Sequence, residues 1–381
     1  MTKKIAINQP RSSYFIGGAE MVSIEHAKAA LRAGYTVDFI TTNPNSIHKN
    51  YTKNFLSLMN SKDEKLTVIL IDQSSRFEKI ANIMPGENKS RWFIESVLYA
   101  QSLLLHLEDS HERYDAIVSY FTFDGIFIPD IYTSNNVLYL LGNPNNNDDA
   151  GFRITQLAMY NEVVAISEPV RTFWQPYLTN KIALVPTAVD TKRFRVSNRL
   201  STKANSQPVE IIFVGRLIEN KGVEVLLEAI SRIYKHVNVN VTIIGDGPRR
   251  ADLEKIVKDK HLTNIVRFLG ETPNPEDFLA VSDIAVFPSL CSEGLMGVVL
   301  EAMSAGLSVI ATSNNGNEDL LARGRGVLVE PGNVSQLGAA LMLLIQKSAV
   351  RHRMGRKAHS YIVENYQWDE VFARFIEEAK I

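Results

Sequence analysis

The stretch Pro288-Ser-Leu-Cys-Ser-Glu-Gly-Leu-Met-Gly-Val-Val-Leu-Glu-Ala-Met-Ser-Ala-Gly-Leu-Ser-Val-Ile-Ala311 follows a short apolar run, Ile284 to Phe287. That run predicts a strand. The small and flexible residues after it predict a loop, Gly297 onward a helix, and Leu307 to Ala311 a second strand. Two carboxylates bracket the turn into the helix, Glu293 and Glu301. Eight residues at about 100° each would set them about 80° apart on one helix, so a single helical face accounts poorly for both. Glu293 is therefore placed in the loop and Glu301 in the helix. The free N–H groups and positive dipole end at the helix start then face the place where a phosphorylated or polyhydroxylated ligand would sit. The alternative is a helix N-terminus with two unrelated glutamates, which are common on surfaces.

The same pattern recurs upstream. Val209 to Val214 is an apolar run broken only by Glu210 and reads as a buried strand, and Val223, Leu226, Leu227 and Ile230 share one helix face. Between them stand Gly215, Arg216 and Lys221. A glycine at a strand end admits phosphate oxygens and two cations neutralise them, although salt-bridged surface cations would look the same. Further strands are expected at Val241 to Ile244, before the turn Gly245-Asp246-Gly247-Pro248, and at Val266 to Leu269 and Val327 to Val329. Helices are expected over Leu337 to Ile345 and around Trp368, Phe372, Phe375 and Ile376.

The amino-terminal half repeats the theme. Lys4 to Asn8, a loop with Gly17-Gly18-Ala19-Glu20, a helix to Arg32 and a strand from Tyr35 to Thr41 form a strand, glycine loop, helix, strand unit. Other strands are predicted at Leu66 to Ile71, Ala116 to Ser119, Val137 to Leu141, Val163 to Ile166 and Ile182 to Val185, with a helix over Arg91 to Leu107. Tyr120 and Phe121 leave a strand's carboxyl end and serve either as an acceptor platform or as ordinary core. Tyr51, Phe55, Leu58 and Met59 recur at helical spacing among basic residues, which fits a helix packed on its own domain or one lying on a membrane surface. Arg195 to Pro208 has no apolar period and reads as a linker.

Length sets the domain count: 381 residues suit two domains, each with its own core. A net charge of −1 argues against a general polyanion binder while leaving room for a local basic patch, so nucleic acid is not an expected partner. No apolar run reaches the length of a membrane span, and the amino terminus enters a strand without a secretory core. One cysteine, Cys291, suits a reducing compartment, and the expected location is the cytoplasm, with peripheral contact to the inner membrane face through the amino-terminal domain as an extension. The chain lacks an Asp-x-Asp, a close His pair and a Cys cluster, so no metal or other cofactor is expected.

Ser289, Glu293, Gly294, Glu301, Ala302, Met303, Ala305 and Gly306 together resemble the Glu-x7-Glu segment of the retaining glycosyltransferases of group 1, or family 4. Arg216 and Lys221 match that family's Gly-Arg-x4-Lys motif, and Val185 to Phe194 resembles its Pro-Asn-Gly-Val-Asp segment. The family's loop reads Glu-Gly-Phe-Gly where this chain reads Glu293-Gly294-Leu295-Met296-Gly297. The resemblance implies two Rossmann-like doubly wound α/β domains of the GT-B type with an interdomain cleft. The acceptor domain would span residues 1–190, a linker 191–208 and the nucleotide-sugar domain 209–366, with a final helix over 367–381 returning to the first domain.

It also implies roles. Arg216 and Lys221 would hold the donor diphosphate with Gly215, Glu301 the ribose diol, and Glu293 with Gly294, Leu295, Met296 and Gly297 the donor sugar. Gly17 and Gly18 would contact donor phosphate or acceptor. Asn143 stands where many relatives carry a histidine, so it could hydrogen-bond a sugar hydroxyl but not act as a base. The implied partners are a nucleotide-sugar donor, a UDP-sugar by preference, and a glycan or lipid-linked acceptor of bacterial surface polysaccharide. A nucleotide-sugar 2-epimerase of the same architecture and a non-catalytic nucleotide-sugar-binding subunit are the competing readings.

Overall fold

The chain divides into two units in a computed structural model. It describes residues 2–13, 17–43, 55, 59, 63–72, 89–120, 128–142, 157, 159–196, 207–291, 295–313 and 316–381. One unit comprises Met1–Thr187 with Trp368–Ile381 and the other Ala188–Gln367. The first division therefore falls three residues before the expected end at 190. Within the stretch expected as linker, Phe194 is already buried in the core of the second unit.

The first unit is a seven-stranded parallel sheet, in the order β3-β2-β1-β4-β5-β6-β7. The strands are β1 (Lys4–Asn8), β2 (Thr36–Thr42), β3 (Leu66–Ile71), β4 (Ala116–Tyr120), β5 (Asn136–Leu140), β6 (Glu162–Ala165) and β7 (Ala183–Leu184). The helices α1 (Gly18–Arg32), α2 (Lys89–Ser110) and α3 (Glu168–Trp174) lie between them. Tyr99, Leu103 and Leu107 of α2 recur every four residues and bury against Ala6, Ile40 and Ile117 of the sheet. Parallel strands covered on both faces need apolar residues at consecutive positions, which is why Ile5–Ile7 of β1, Ala116–Val118 of β4 and Val137–Leu140 of β5 are unbroken apolar runs.

The second unit is a six-stranded parallel sheet, in the order β10-β9-β8-β11-β12-β13. Its strands are β8 (Val209–Val214), β9 (Val239–Ile244), β10 (Val266–Gly270), β11 (Ile284–Phe287), β12 (Ser308–Thr312) and β13 (Gly326–Val329). Its helices are α4 (Val223–Ile233), α5 (Arg250–Asp259), α6 (Pro275–Leu279), α7 (Gly297–Ser304), α8 (Asn317–Leu321), α9 (Val334–Gln346) and α10 (Ser348–Asn365). Alternate residues of β8 feed two cores: Ile211 and Phe213 meet α4 and α9, whereas Ile212 belongs with α7 and α10. Full burial of each such side chain is worth about 1.5–3 kcal/mol, so the two cores supply the bulk of this unit's stability.

The last helix, α11 (Trp368–Glu378), belongs to the first unit. Trp368, Val371, Phe372 and Phe375 form its buried stripe, and Arg32 of α1 pairs with Asp369 at 2.7 Å. The basic amphipathic segment expected near residues 45–62 lies outside the described residues except for Phe55 and Met59, both buried. Among the described residues no helix is long and apolar enough to cross a membrane.

Candidate active site

Each sheet reverses its strand order once, between β1 and β4 in the first unit and between β8 and β11 in the second. Loops leaving the carboxyl ends of such neighbouring strands open a crevice, and open α/β sheets bind their ligands there. In the second unit both loops carry residues singled out from the sequence.

The β8 loop runs through Gly215, Arg216 and Lys221 to Gly222, and the β11 loop runs from Pro288 to Met296. Backbone contact joins them: Leu290 N–H donates to the Asn220 carbonyl at 2.8 Å. Gly222 holds φ +65°, and a Cβ there would overlap the Pro288 carbonyl oxygen. Only glycine meets both demands. Gly245, at φ +129° in the β9 loop, packs as closely against the Gly215 carbonyl, and Leu217 N–H donates to Asp246 O at 2.8 Å. The turn Gly245-Asp246-Gly247 therefore buttresses the Gly-Arg loop from the side away from β11. Arg216 projects to solvent and, among the described residues, its side chain makes no ion pair. Lys221 is half-buried at the end of a short 3-10 turn.

Met296 caps α7 and is buried, with the Ser289 hydroxyl 3.8 Å from its sulfur. Val299 N–H donates to the Met296 carbonyl at 3.0 Å, and the amides ahead of it precede the helix's own acceptors, so the helix start can receive an anion or a hydroxyl oxygen. Gly297 opens the helix, and a Cβ there would meet nothing within 4 Å. Leu295 precedes it, half-buried. One turn further along, Glu301 is half-buried by exposed area but crowded by protein around its carboxyl, and that desolvation pushes it up from 4.5 to about 7. Arg193 pulls the other way and Glu276 adds to the rise. These two were not found from sequence. Arg193 bonds Glu276 at 2.8 Å and the Pro273 carbonyl at 2.9 Å, with its guanidinium 5.1 Å from the Phe194 ring centre. Its acidic partner lies 83 residues away, so no local spacing signals the pair. Glu293 and Gly294 lie outside the described residues.

In the first unit the β1 loop leads to α1, whose start is organised internally. Gly17 N–H donates to Glu20 Oε2 at 3.0 Å, and the other Glu20 oxygen faces Arg11 at 3.4 Å. Gly18 is exposed and has open space around its Cα. Asn8 and Gln9 at the end of β1 are fully buried, Asn8 bonding Ser119 and Tyr99.

Tyr120, offered by the sequence either as an acceptor platform or as core, is core. It is buried, its hydroxyl 2.8 Å from His26 Nδ1, inside an aromatic cluster with Tyr139, Trp368 and Phe375. As the last residue of β4 its side chain still follows the sheet's alternation, and this face is covered by α1 and α11. Phe121 and Asn143 lie outside the described residues. So within the second unit the structure joins the loops of Gly215, Arg216 and Lys221 to the loop that leads into Leu295, Met296, Gly297 and the helix of Glu301.

Comparison with known proteins points to the same half of the chain. Residues 195–361 match the family model described as Glycosyl transferases group 1. Relatives named glycosyltransferases match the chain as well. The chain is 28% identical over 180 residues to the lipopolysaccharide core biosynthesis glycosyltransferase LpsE of Rhizobium meliloti, covering 47% of this chain and 51% of that protein. It thus spans about half the length of the first curated relatives it matches. Among solved structures it resembles sucrose-phosphate synthase of Thermosynechococcus elongatus, at TM-score 0.79 and 17% identity over 98% of each chain. HepE of Anabaena, in complex with UDP, gives 0.77 and 16% over 99% of each. At such identities the likeness is one of fold, and the fold is GT-B, two parallel-sheet α/β units.

Proposed function

We propose that the protein is a retaining glycosyltransferase that moves a hexosyl unit from a nucleotide diphosphate sugar to a glycan or lipid-linked acceptor of a surface polysaccharide. The observation that carries this reading is the junction of the cationic β8 loop with the β11 loop at the strand-order reversal of the second unit, with α7 and Glu301 directly following. The relative named for lipopolysaccharide core biosynthesis supports the acceptor class, and the UDP held by HepE supports a uridine nucleotide.

In this reading Arg216 and Lys221 neutralise the diphosphate as it departs. Fixed donors of this kind are typically worth about 3 kcal/mol of transition-state stabilisation. Glu301 accepts hydrogen bonds from the ribose diol, and Glu293 with the Leu295 to Gly297 amides holds hydroxyls of the sugar. The acceptor oxygen bonds to the anomeric carbon on the face from which the phosphate leaves, the bond to phosphate breaks, and the acceptor's proton passes to the leaving phosphate oxygen. Arg216, Lys221 and the helix amides carry the charge, so EDTA is expected to leave transfer unchanged.

The test is incubation with UDP- and GDP-sugars, with and without oligosaccharide acceptors, followed by NMR of the products. Transfer or slow donor hydrolysis with retained anomeric configuration supports the reading. A new epimer formed from UDP-N-acetylglucosamine alone would replace it with the 2-epimerase reading, and binding without turnover of any donor would leave a non-catalytic subunit.

A further inference from the structure

A second cavity lies in the same unit, on residues the proposed reaction does not use. About 520 Å³ in volume, it is lined by Arg323, Arg325, Arg353, Arg356 and Lys357, together with Ser360, Tyr361 and Glu364. Two segments build it. Arg323 and Arg325 come from the turn between α8 and β13, and the others from one face of α10, where positions 353, 356, 357, 360, 361 and 364 follow the helical repeat. The opposite face of α10, with Met354, Ala358 and Ile362, is buried, so packing fixes which face turns outward.

Five cations meet one carboxylate here in a chain whose net charge is −1. Arg323, Arg353, Arg356 and Lys357 are exposed and, among the described residues, none of them makes an ion pair. Elsewhere in the unit the exposed Arg232 pairs with Glu228, and the half-buried Arg250 with both Asp246 and Glu254. Arg325 is held in place. Its Nε donates to the Leu320 carbonyl at 2.7 Å, another nitrogen donates to the Asp319 carbonyl, and its guanidinium stacks on the Tyr361 ring with 3.8 Å to the centroid. A rigid, stacked guanidinium flanked by unpaired cations is the arrangement that recognises phosphate oxygens, since the planar fork donates to two oxygens at once. Uncompensated like charges repel one another, so the cluster is best satisfied by an anion carrying several charges. The cavity volume falls in the range of small-ligand sites, and Tyr361 is its only aromatic side chain.

We infer that the pocket formed by the α8–β13 turn and α10 is a second binding site, separate from the β8 and β11 loops, for a group bearing two or more phosphates. Such a group comes either from a soluble polyphosphorylated metabolite or from an anionic lipid headgroup.

Titration calorimetry with inorganic tripolyphosphate tests it, using the full chain and the variants Arg353→Glu/Arg356→Glu and Arg353→Gln/Arg356→Gln. Both pairs alter exposed side chains, and an unchanged Tm confirms the fold. The expected result is at least a tenfold loss of affinity in the Glu pair and a smaller loss in the Gln pair. Arg216→Ala/Lys221→Ala should remove only the contribution of the donor loop, and the binding component that the α10 pairs abolish should stay within about twofold of wild type. Unchanged affinity in both α10 pairs, or a loss confined to Arg216→Ala/Lys221→Ala, would overturn the site, the second outcome placing the polyphosphate at the donor loop. Flotation with phosphatidylcholine vesicles, with and without cardiolipin, whose headgroup carries two phosphates, separates the sources. Binding to the anionic vesicles that is lost in the Glu pair supports the headgroup source; tripolyphosphate binding without vesicle binding supports the soluble one.

Discussion

Glu301 makes the second unit's stability depend on pH in a direction opposite to most carboxylates. Its carboxyl is raised from 4.5 to about 7, chiefly by burial. At about 1.4 kcal/mol per pKa unit that rise corresponds to about 3 kcal/mol between the folded and unfolded chains. Below pH 4.5 both states carry the proton and the group contributes nothing. As pH climbs from 4.5 to 7 the unfolded state ionises first, so stability falls, and above 7 the full cost remains. Glu301→Gln keeps the shape and removes the titration. The variant should match wild type near pH 4.5 and exceed it by about 2–3 kcal/mol at pH 8, read as a Tm gain of roughly 5–10 °C for a unit of this size. Thermal scans of both proteins from pH 4.5 to 8 supply the curve. The difference, rather than either Tm, is the quantity to follow, because two units need not unfold together. A ligand whose hydroxyls donate to Glu301 favours its charged form, so nucleotide-sugar binding at pH 6 should release a proton, measurable by calorimetry in two buffers of different ionisation heat. A Gln variant no more stable than wild type at pH 8, or a gap that is the same at pH 5, would refute the burial argument.

Other outcomes follow from the same geometry. Gly222→Ala, at φ +65° and against the Pro288 carbonyl, should cost more than the usual 1 kcal/mol of a misplaced alanine and separate the two site loops, seen as a lower Tm and loss of nucleotide affinity. His26 is buried in an aromatic cluster and depressed to about 3, so the first unit should lose stability as pH falls from 6.5 toward 3. His26→Phe should flatten that slope in acid-unfolding curves monitored by tryptophan fluorescence. Phe375→Ala removes a fully buried ring from the last helix and should destabilise by about 3–5 kcal/mol in denaturant unfolding, leaving tripolyphosphate binding at α10 intact.

The strands were readable because both faces of each sheet are covered. Lys4–Asn8, Leu66–Ile71, Val209–Val214 and Ile284–Phe287 have the bounds their apolar residues predict. The Gly-Arg loop and the start of α7 were legible for a related reason, since glycine and charge punctuate those runs. Helix α10 left no such trace. Its buried positions are Arg351, Met354, Gly355, Ala358 and Ile362, and small or charged residues give no apolar period. Arg351 is buried because its guanidinium donates to the Leu344 and Ile345 carbonyls at the end of α9, a capping role that only the tertiary structure reveals. The same opacity hid the basic pocket, whose two arms are some 30 residues apart in the chain. Arg193 beside Glu301 was invisible likewise: the residue was within a recognised segment, but its partners come from α6 and α7. Tyr120 shows the limit of strand-end reasoning, because the carboxyl end of a strand has one face toward the ligand edge and one still inside the core.

In the proposed reaction the β8 and β11 loops of the second unit hold a nucleotide diphosphate sugar. Calorimetric titration of UDP-glucose and GDP-mannose into wild type, Arg216→Ala and Lys221→Ala tests it most directly. Saturable binding of one nucleotide sugar to wild type, weakened at least tenfold by either substitution with Tm unchanged, is expected. Equal affinity in all three proteins would contradict it.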